Sequence, residues 1–406
     1  MPNPHRIGLL ICRNDCGSGS GRASSFAWPL PLPLSRHSTT VSRDISAVCV
    51  GDTRTLADDA RGGAVNDART TLTHEREITE PVSLTLPNGR LNPAAVGWTR
   101  HPLHDTSGIG TGRLGRGRNK RWEYWGITTP DHIVAVTVAM LDYATLNQVW
   151  VFDRRTATDV DAGAITPLSR GVDLPGTLGA AQATARVPGI ETAITESGDG
   201  TRIVATTKRV ALDVFAERPD GHEALGVVVP WSDTRFQYTV KDVARPARGT
   251  ITIDGVAHEL PAGESWAVLD HGRGRWPYSM TWHWGAASGM EHGHRLGLQL
   301  GGLWTDGTGS TENALSVDGR LHKLGAELRW RFDPADWLRP WSITGDRVEL
   351  RFEPFHDRFS KSAFGVIHSE THQCFGTYRG TVTDDSGDVV PIDALTGWAE
   401  FVKNRW

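Results

Sequence analysis

From His74 onward, apolar and polar residues alternate with a period of two almost without interruption. Successive side chains of a strand point to opposite faces, so this pattern predicts half-buried antiparallel strands. Residues 326–332 place Leu328, Trp330 and Phe332 on one face and Glu327, Arg329 and Arg331 on the other, and residues 348–352 repeat the pattern. Two Asp-Gly pairs punctuate the runs. Asp254-Gly255 lies between 250–253 and 256–260, and Asp318-Gly319 between 313–317 and 320–324. A type I′ turn needs positive φ at both central residues, which makes Asp-Gly a strong hairpin signal. Further strands are expected at 133–141, 148–153, 202–206, 211–216, 226–229 and 295–300. Helical spacing is confined to 334–338 and a terminal stretch, 392–403.

Many short strands with Gly and Asp turns predict an all-β protein built of barrels or sandwiches. The patterned region is too long for one small barrel. Two antiparallel β-barrels or half-barrels in tandem are expected, 75–245 and 246–406, divided near the polar, Pro-containing stretch 241–248. Residues 1–73 differ from the rest. They hold repeated Pro-Leu, Ser, Arg and Gly with no sustained period, and such a composition buries too little apolar area to offset the entropy of ordering. A disordered extension is expected there, or a start assigned upstream of the true one, with Val65 and Leu72 as alternatives.

Composition narrows the function classes. Net charge is −4, too mild to imply a polyanion partner. No apolar run approaches the roughly 20 residues that span a bilayer. Of the four cysteines only Cys374 lies in the patterned region, so no disulfide framework is expected and a cytoplasmic setting follows. No Walker loop, dinucleotide fingerprint or Gly-x-Ser-x-Gly elbow is present, and no cofactor is expected. The pairs His101/His104 and His292/His294 lack a third ligand in register, so no metal is expected. Sixteen tryptophans, by contrast, are many for 406 residues. Indoles suit apolar cavities and ring-binding clefts.

The densest chemical cluster runs from Asp270 to Trp284. Asp270, His271, Arg273 and Arg275 are followed by Trp276, Trp282, His283 and Trp284. An acid packed against indoles is desolvated and retains its proton near neutral pH, which a proton donor to an alkene or an ether oxygen requires. In a strand, Trp282 and Trp284 share one wall and His283 faces away. Trp-rich strands also build plain cores, and Gly272 and Gly274 can serve only to shape a bulge. A second run, 113–125, spaces five basic residues by glycines ahead of Trp122 and Trp125. Arg121, Trp122 and Glu123 are candidate ligand contacts there, with a solvated loop as the alternative, and no nucleic-acid module accompanies the run. Glu123 and Tyr124 occupy opposite faces. Glu312 and Asn313, just before a hairpin, are candidates for a second polar group beside Asp270, or for the turn that starts the strand.

Several of these pieces resemble one family. They are Gly89-Arg90-Leu91-Asn92, Lys120-Arg121-Trp122-Glu123-Tyr124-Trp125, Asp270-His271-Gly272-Arg273-Gly274, Thr311-Glu312-Asn313-Ala314, Glu353-Pro354-Phe355 and His372-Gln373. In this order they resemble the family called domain of unknown function 2804, over about residues 75–406. More distantly the layout is similar to tandem lipocalin-like proteins, which include carotenoid 1,2-hydratases and AttH-like proteins. That resemblance implies a lumen for a small hydrophobic ligand, with Asp270 as acid and His271 as its orienting or relaying partner. Those relatives carry Trp-Gly after the pair, where this chain has Gly272-Arg273-Gly274. The function expected is a cofactor-independent hydratase, isomerase or cyclase acting by protonation. A non-catalytic lipid-like carrier and a carbohydrate-active enzyme with paired carboxylates are the alternatives.

Overall fold

The computed structural model describes residues 75–168, 170–364 and 367–405. The expected disordered extension and Cys12, Cys16 and Cys49 lie outside the described residues. Those described form an all-β protein with one short 3-10 turn, Pro93–Ala95. None of their helices is long and apolar enough to cross a membrane.

Two large antiparallel sheets carry the fold, of fourteen and nine strands among the described residues. Strand order shows why each curls. The main path of the first sheet runs through eleven strands, and its edges are Thr158–Pro167 and Val172–Asp173. A flat sheet would hold those edges about 48 Å apart, yet four residues link them, a reach of less than roughly 20 Å. The second sheet repeats the device. Its edges, Arg320–Leu324 and Arg329–Arg331, are also joined by four residues. Both sheets are therefore half-barrels with their edges drawn together, a tandem lipocalin-like arrangement.

Three apolar clusters follow. One fills the first curl, with Val134, Val136, Ile203 and Leu212. One fills the second, with Leu298, Leu315, Ile343 and Phe352. A third lies between the sheets and includes Ile133, Ala135, Trp150, Trp284, Phe375 and Trp398. The strand His132–Leu141 feeds the first and third clusters from its two faces, which is why its sequence reads as a nearly continuous apolar run.

Both Asp-Gly hairpins form as expected, with positive φ at Asp254, Gly255, Asp318 and Gly319. Three expectations about helices and strands need correction. Residues 392–403 are not helical but belong to the strand Val389–Arg405. A bulge opposite Tyr378 and Gly380 places Ile392 and Leu395 in the same core, so a strand irregularity mimics the i, i+3 spacing of a helix. Residues 334–338 form turns, and of 326–332 only Arg329–Arg331 joins a ladder. The stretch 241–248 lies inside the strand Phe236–Ile253, where the register shifts between Asp242 and Arg245. The chain passes from the first sheet to the second between Arg275 and Ser279.

Candidate functional site

The strand Trp266–Arg275 pairs on one side with Asn119–Thr128 and on the other with Phe236–Ile253. Gly272 and Gly274 sit in unbroken register there, so neither shapes a bulge. Asp270 is flanked by Tyr124 and Lys241, and Gly272 by Trp122 and Thr239. This face looks toward the second sheet. His271 is flanked by Glu123 and Val240, and Arg273 by Arg121 and Tyr238, all on the opposite face.

On the inter-sheet face the centre is Lys241. Its Nζ lies 3.0 Å from Asp270 Oδ1 and 3.1 Å from Glu312 Oε2, and 4.3 Å from the Trp284 ring centroid. Burial works against the ammonium, but Asp270 and Glu312 outweigh it and raise its pKa above the ordinary lysine value. Thr239 Oγ1 donates to Asp270 Oδ1 at 3.1 Å. Indole N–H groups reach the other two carboxyls. Trp304 Nε1 donates to Glu312 Oε1 at 2.6 Å, and Trp282 Nε1 to Glu400 Oε1 at 2.9 Å. Burial pushes the Glu312 carboxyl up to about 7 against the pull of Lys241. Burial likewise raises Glu400 to about 7, with Asp270 and Glu312 adding repulsion. Three carboxyls thus lie around Lys241 and beside indoles, with Lys323 also acting on Glu312 and Arg358 on Glu400, and burial lets a proton be retained there near neutral pH.

Close approach shapes this cluster. A Cβ on Gly272 would lie 2.1 Å from Trp122 Cζ2, so only glycine lets that indole lie across the strand. Gly301 does the same for Glu312, whose Cγ would be 2.3 Å from an added Cβ. Trp276 stacks on Trp304 with centroids 5.6 Å apart and meets Trp122, Trp231 and Trp282 edge-on. Asp270, with a side chain 14% exposed, is the carboxyl of the three that solvent reaches most.

The first curl holds the other candidates. Glu123, His271 and Arg273 are buried together, with Arg273 Nη2 3.4 Å and His271 Nδ1 3.7 Å from Glu123 Oε1. Burial, with Arg273 beside it, lowers the imidazole to about 4, so it is neutral at physiological pH. The guanidiniums bind backbone. Arg273 donates to Pro175 O at 3.1 Å and to Trp122 O at 2.9 Å, and Arg121 donates to Ile109 O. The expectation that His271 orients or relays to Asp270 is therefore corrected: adjacent strand residues face apart. Arg121, Glu123 and Arg273 do not share a chamber with Trp276, Trp282 and Trp284 for the same reason. Asn313 serves its hairpin, accepting from Gly301 N at 2.6 Å. His283 faces away from its two tryptophans, stacked on Trp330 at 5.1 Å. His104, His292 and His294 take separate partners, Ala95 O, Asp393 and Asp318.

Lys241, Glu400 and Trp304 escaped the sequence reading. The signal was present but local: Lys241 shares a face with Gln237 and Thr239, and Glu400 shares one with Trp398 and Val402.

Fold and site define an all-β protein of two half-barrels with an acidic, indole-lined cluster between its sheets. The chain belongs to the family Domain of unknown function (DUF2804), whose family model matches residues 75–406. No curated protein matches it. Similar solved structures include a protein assigned as an AttH from Nitrosomonas europaea, at 14% identity and TM-score 0.46, covering 71% of this chain and 94% of that one. Kievitone hydratase from Nectria haematococca is similar at 11% identity and TM-score 0.42, covering 73% and 93%. CghA with Sch210972 is similar at 10% identity and TM-score 0.45, covering 71% and 89%.

Proposed function

We propose that the inter-sheet cluster is the active site of a cofactor-independent hydratase, isomerase or cyclase that protonates a small hydrophobic, isoprenoid- or lipid-like substrate. The observation that carries this reading is the pair of buried carboxyls, Glu312 and Glu400, raised to about 7 beside indole walls. A carboxyl poised near the working pH is a competent general acid. Glu400 or Glu312 gives its proton to an alkene carbon, and the cation so formed is stabilised over the faces of Trp282 and Trp122. Water adds to the cation, or a proton leaves it, or a second double bond closes on it. The oxonium formed from water loses a proton, as does the new cation formed by ring closure, and in each case Asp270 takes up the released proton and hands it back to the glutamate carboxylate, which regenerates the acid. Asp270, held by Lys241 and the most exposed of the three, suits the task of accepting that proton. This reading moves the acid from Asp270 to its neighbours and leaves His271 out of the chemistry.

The carbohydrate alternative is less well supported, because Lys241 stands between Asp270 and Glu312 where a glycosidic oxygen must sit. The test begins with native mass spectrometry of the full chain to identify a co-purified apolar compound. Incubated with that compound in D2O, the protein is expected to give a product carrying solvent deuterium. Glu400→Gln is expected to cut turnover at least a hundredfold while binding stays within about threefold. Binding without product or deuterium uptake would establish a carrier instead.

A further inference from the structure

The second half-barrel contains a cleft that the proposed reaction does not use. In the strand Ile367–Thr383, Gln373 reaches the inter-sheet face and donates to Tyr124 Oη at 3.1 Å. Its neighbour His372 therefore points the other way, into a cleft of about 540 Å³ walled by Phe332, Trp337, Phe359 and Phe401. That volume falls in the range of roughly 300–1,000 Å³ typical of small-molecule sites.

The cleft is built rather than incidental. Trp337 projects from a loop that its own aspartates fix, with Asp333 Oδ1 accepting from Ala335 N at 2.9 Å and Asp336 Oδ1 from Leu338 N at 3.2 Å. The Trp337 carbonyl accepts from Trp341 Nε1 at 3.2 Å. The rings are close to parallel: Trp337 lies 3.8 Å from His372 at 11°, Phe332 lies 5.0 Å from Trp337 at 27°, and Phe359 lies 4.6 Å from His372 at 31°. Phe359 ends this stack with 53% of its surface exposed. His372 is 8% exposed, and its Nδ1 lies 2.8 Å from Asp357 Oδ2. That contact makes Nδ1 the donor of the neutral ring and leaves the Nε2 lone pair as an acceptor. No described residue hydrogen-bonds Nε2.

We propose that this cleft is a second small-molecule site, which takes a planar, ring-bearing apolar molecule with one hydroxyl, in the class of polycyclic phenols. The ligand's flat face lies across the ring edges that this stack presents to the cleft, and its hydroxyl donates to His372 Nε2. A row of ring edges favours the face of a flat aromatic molecule over a bulky aliphatic one. The inference stands independently of the inter-sheet reaction.

The test is equilibrium dialysis of the full-length protein with 2-naphthol, naphthalene and cellobiose. One 2-naphthol per chain is expected, bound about tenfold more tightly than naphthalene because only the phenol reaches His372. His372→Ala is expected to reduce 2-naphthol to the affinity of naphthalene and to leave naphthalene unchanged. Trp337→Ala is expected to weaken both at least tenfold, and Glu400→Gln neither. The ratio of the two ligands in the unaltered protein tests the idea even if a variant fails to fold. Equal affinity for the two, preference for cellobiose, loss of binding in Glu400→Gln, or occupation of the cleft by a second copy of the chain in light scattering would each overturn it.

Discussion

Lys241 sets the chemistry of the inter-sheet face at the scale of single residues. Burial withdraws water from Glu312 and Glu400, and the pull of Lys241 on both does not offset it. Glu312 and Glu400 therefore hold their protons from the ordinary 4.5 up to about 7. Between those values the folded chain binds protons that the unfolded chain has released, so stability falls as pH rises through that window. Each group accounts for on the order of 3 kcal/mol of this loss. The imidazoles of His271 and His283, both lowered to about 4 by burial, act in the opposite sense: folding gains stability as pH rises from about 4 toward the ordinary 6.5. Comparison with a variant isolates the carboxyl effect. Glu312→Gln is expected to lose less stability than the wild type between pH 5 and 8 in urea titrations. Parallel pH profiles for the two proteins would contradict this.

Strands decide which of these residues meet. Period two made the fold readable, and it also separated Trp282 and Trp284 from His283 correctly. The same rule sends Asp270 and His271 to opposite faces, so a dipeptide resemblance cannot by itself make a dyad in a strand. What the sequence could not give was the partner across the gap. Lys241 and Glu400 lie on strands of different sheets and Glu312 just ahead of the strand Asn313–Val317, and no local pattern encodes that packing. The terminal strand misled for a different reason, since its bulge reproduces helical spacing. Glycine approach is a property of this scale too. Gly272→Ala is expected to displace the Trp122 ring and cost about 1–3 kcal/mol through overpacking. Thermal denaturation reads that cost, and a change below about 0.5 kcal/mol would show that the indole has somewhere else to go.

Across the whole molecule, the two half-barrels belong to one compact unit, and the cluster containing Trp284 and Trp398 joins them. The strand Trp266–Arg275 bridges Asn119–Thr128 and Phe236–Ile253 in the first sheet. A fragment of residues 75–245 lacks it, and is expected to give no cooperative unfolding transition by circular dichroism. A fragment of residues 75–277 keeps every strand of that sheet and is expected to give one. Cooperative folding of the shorter piece would place the boundary between the proposed domains near residue 245 after all. The central claim, that the cluster between the sheets holds protons available for transfer, is tested most directly by infrared spectroscopy of the full chain in D2O. A protonated carboxyl band is expected at pH 6, titrating near 7 and diminished in both Glu312→Gln and Glu400→Gln. Absence of any such band above pH 5, or a band unchanged in both variants, would contradict it.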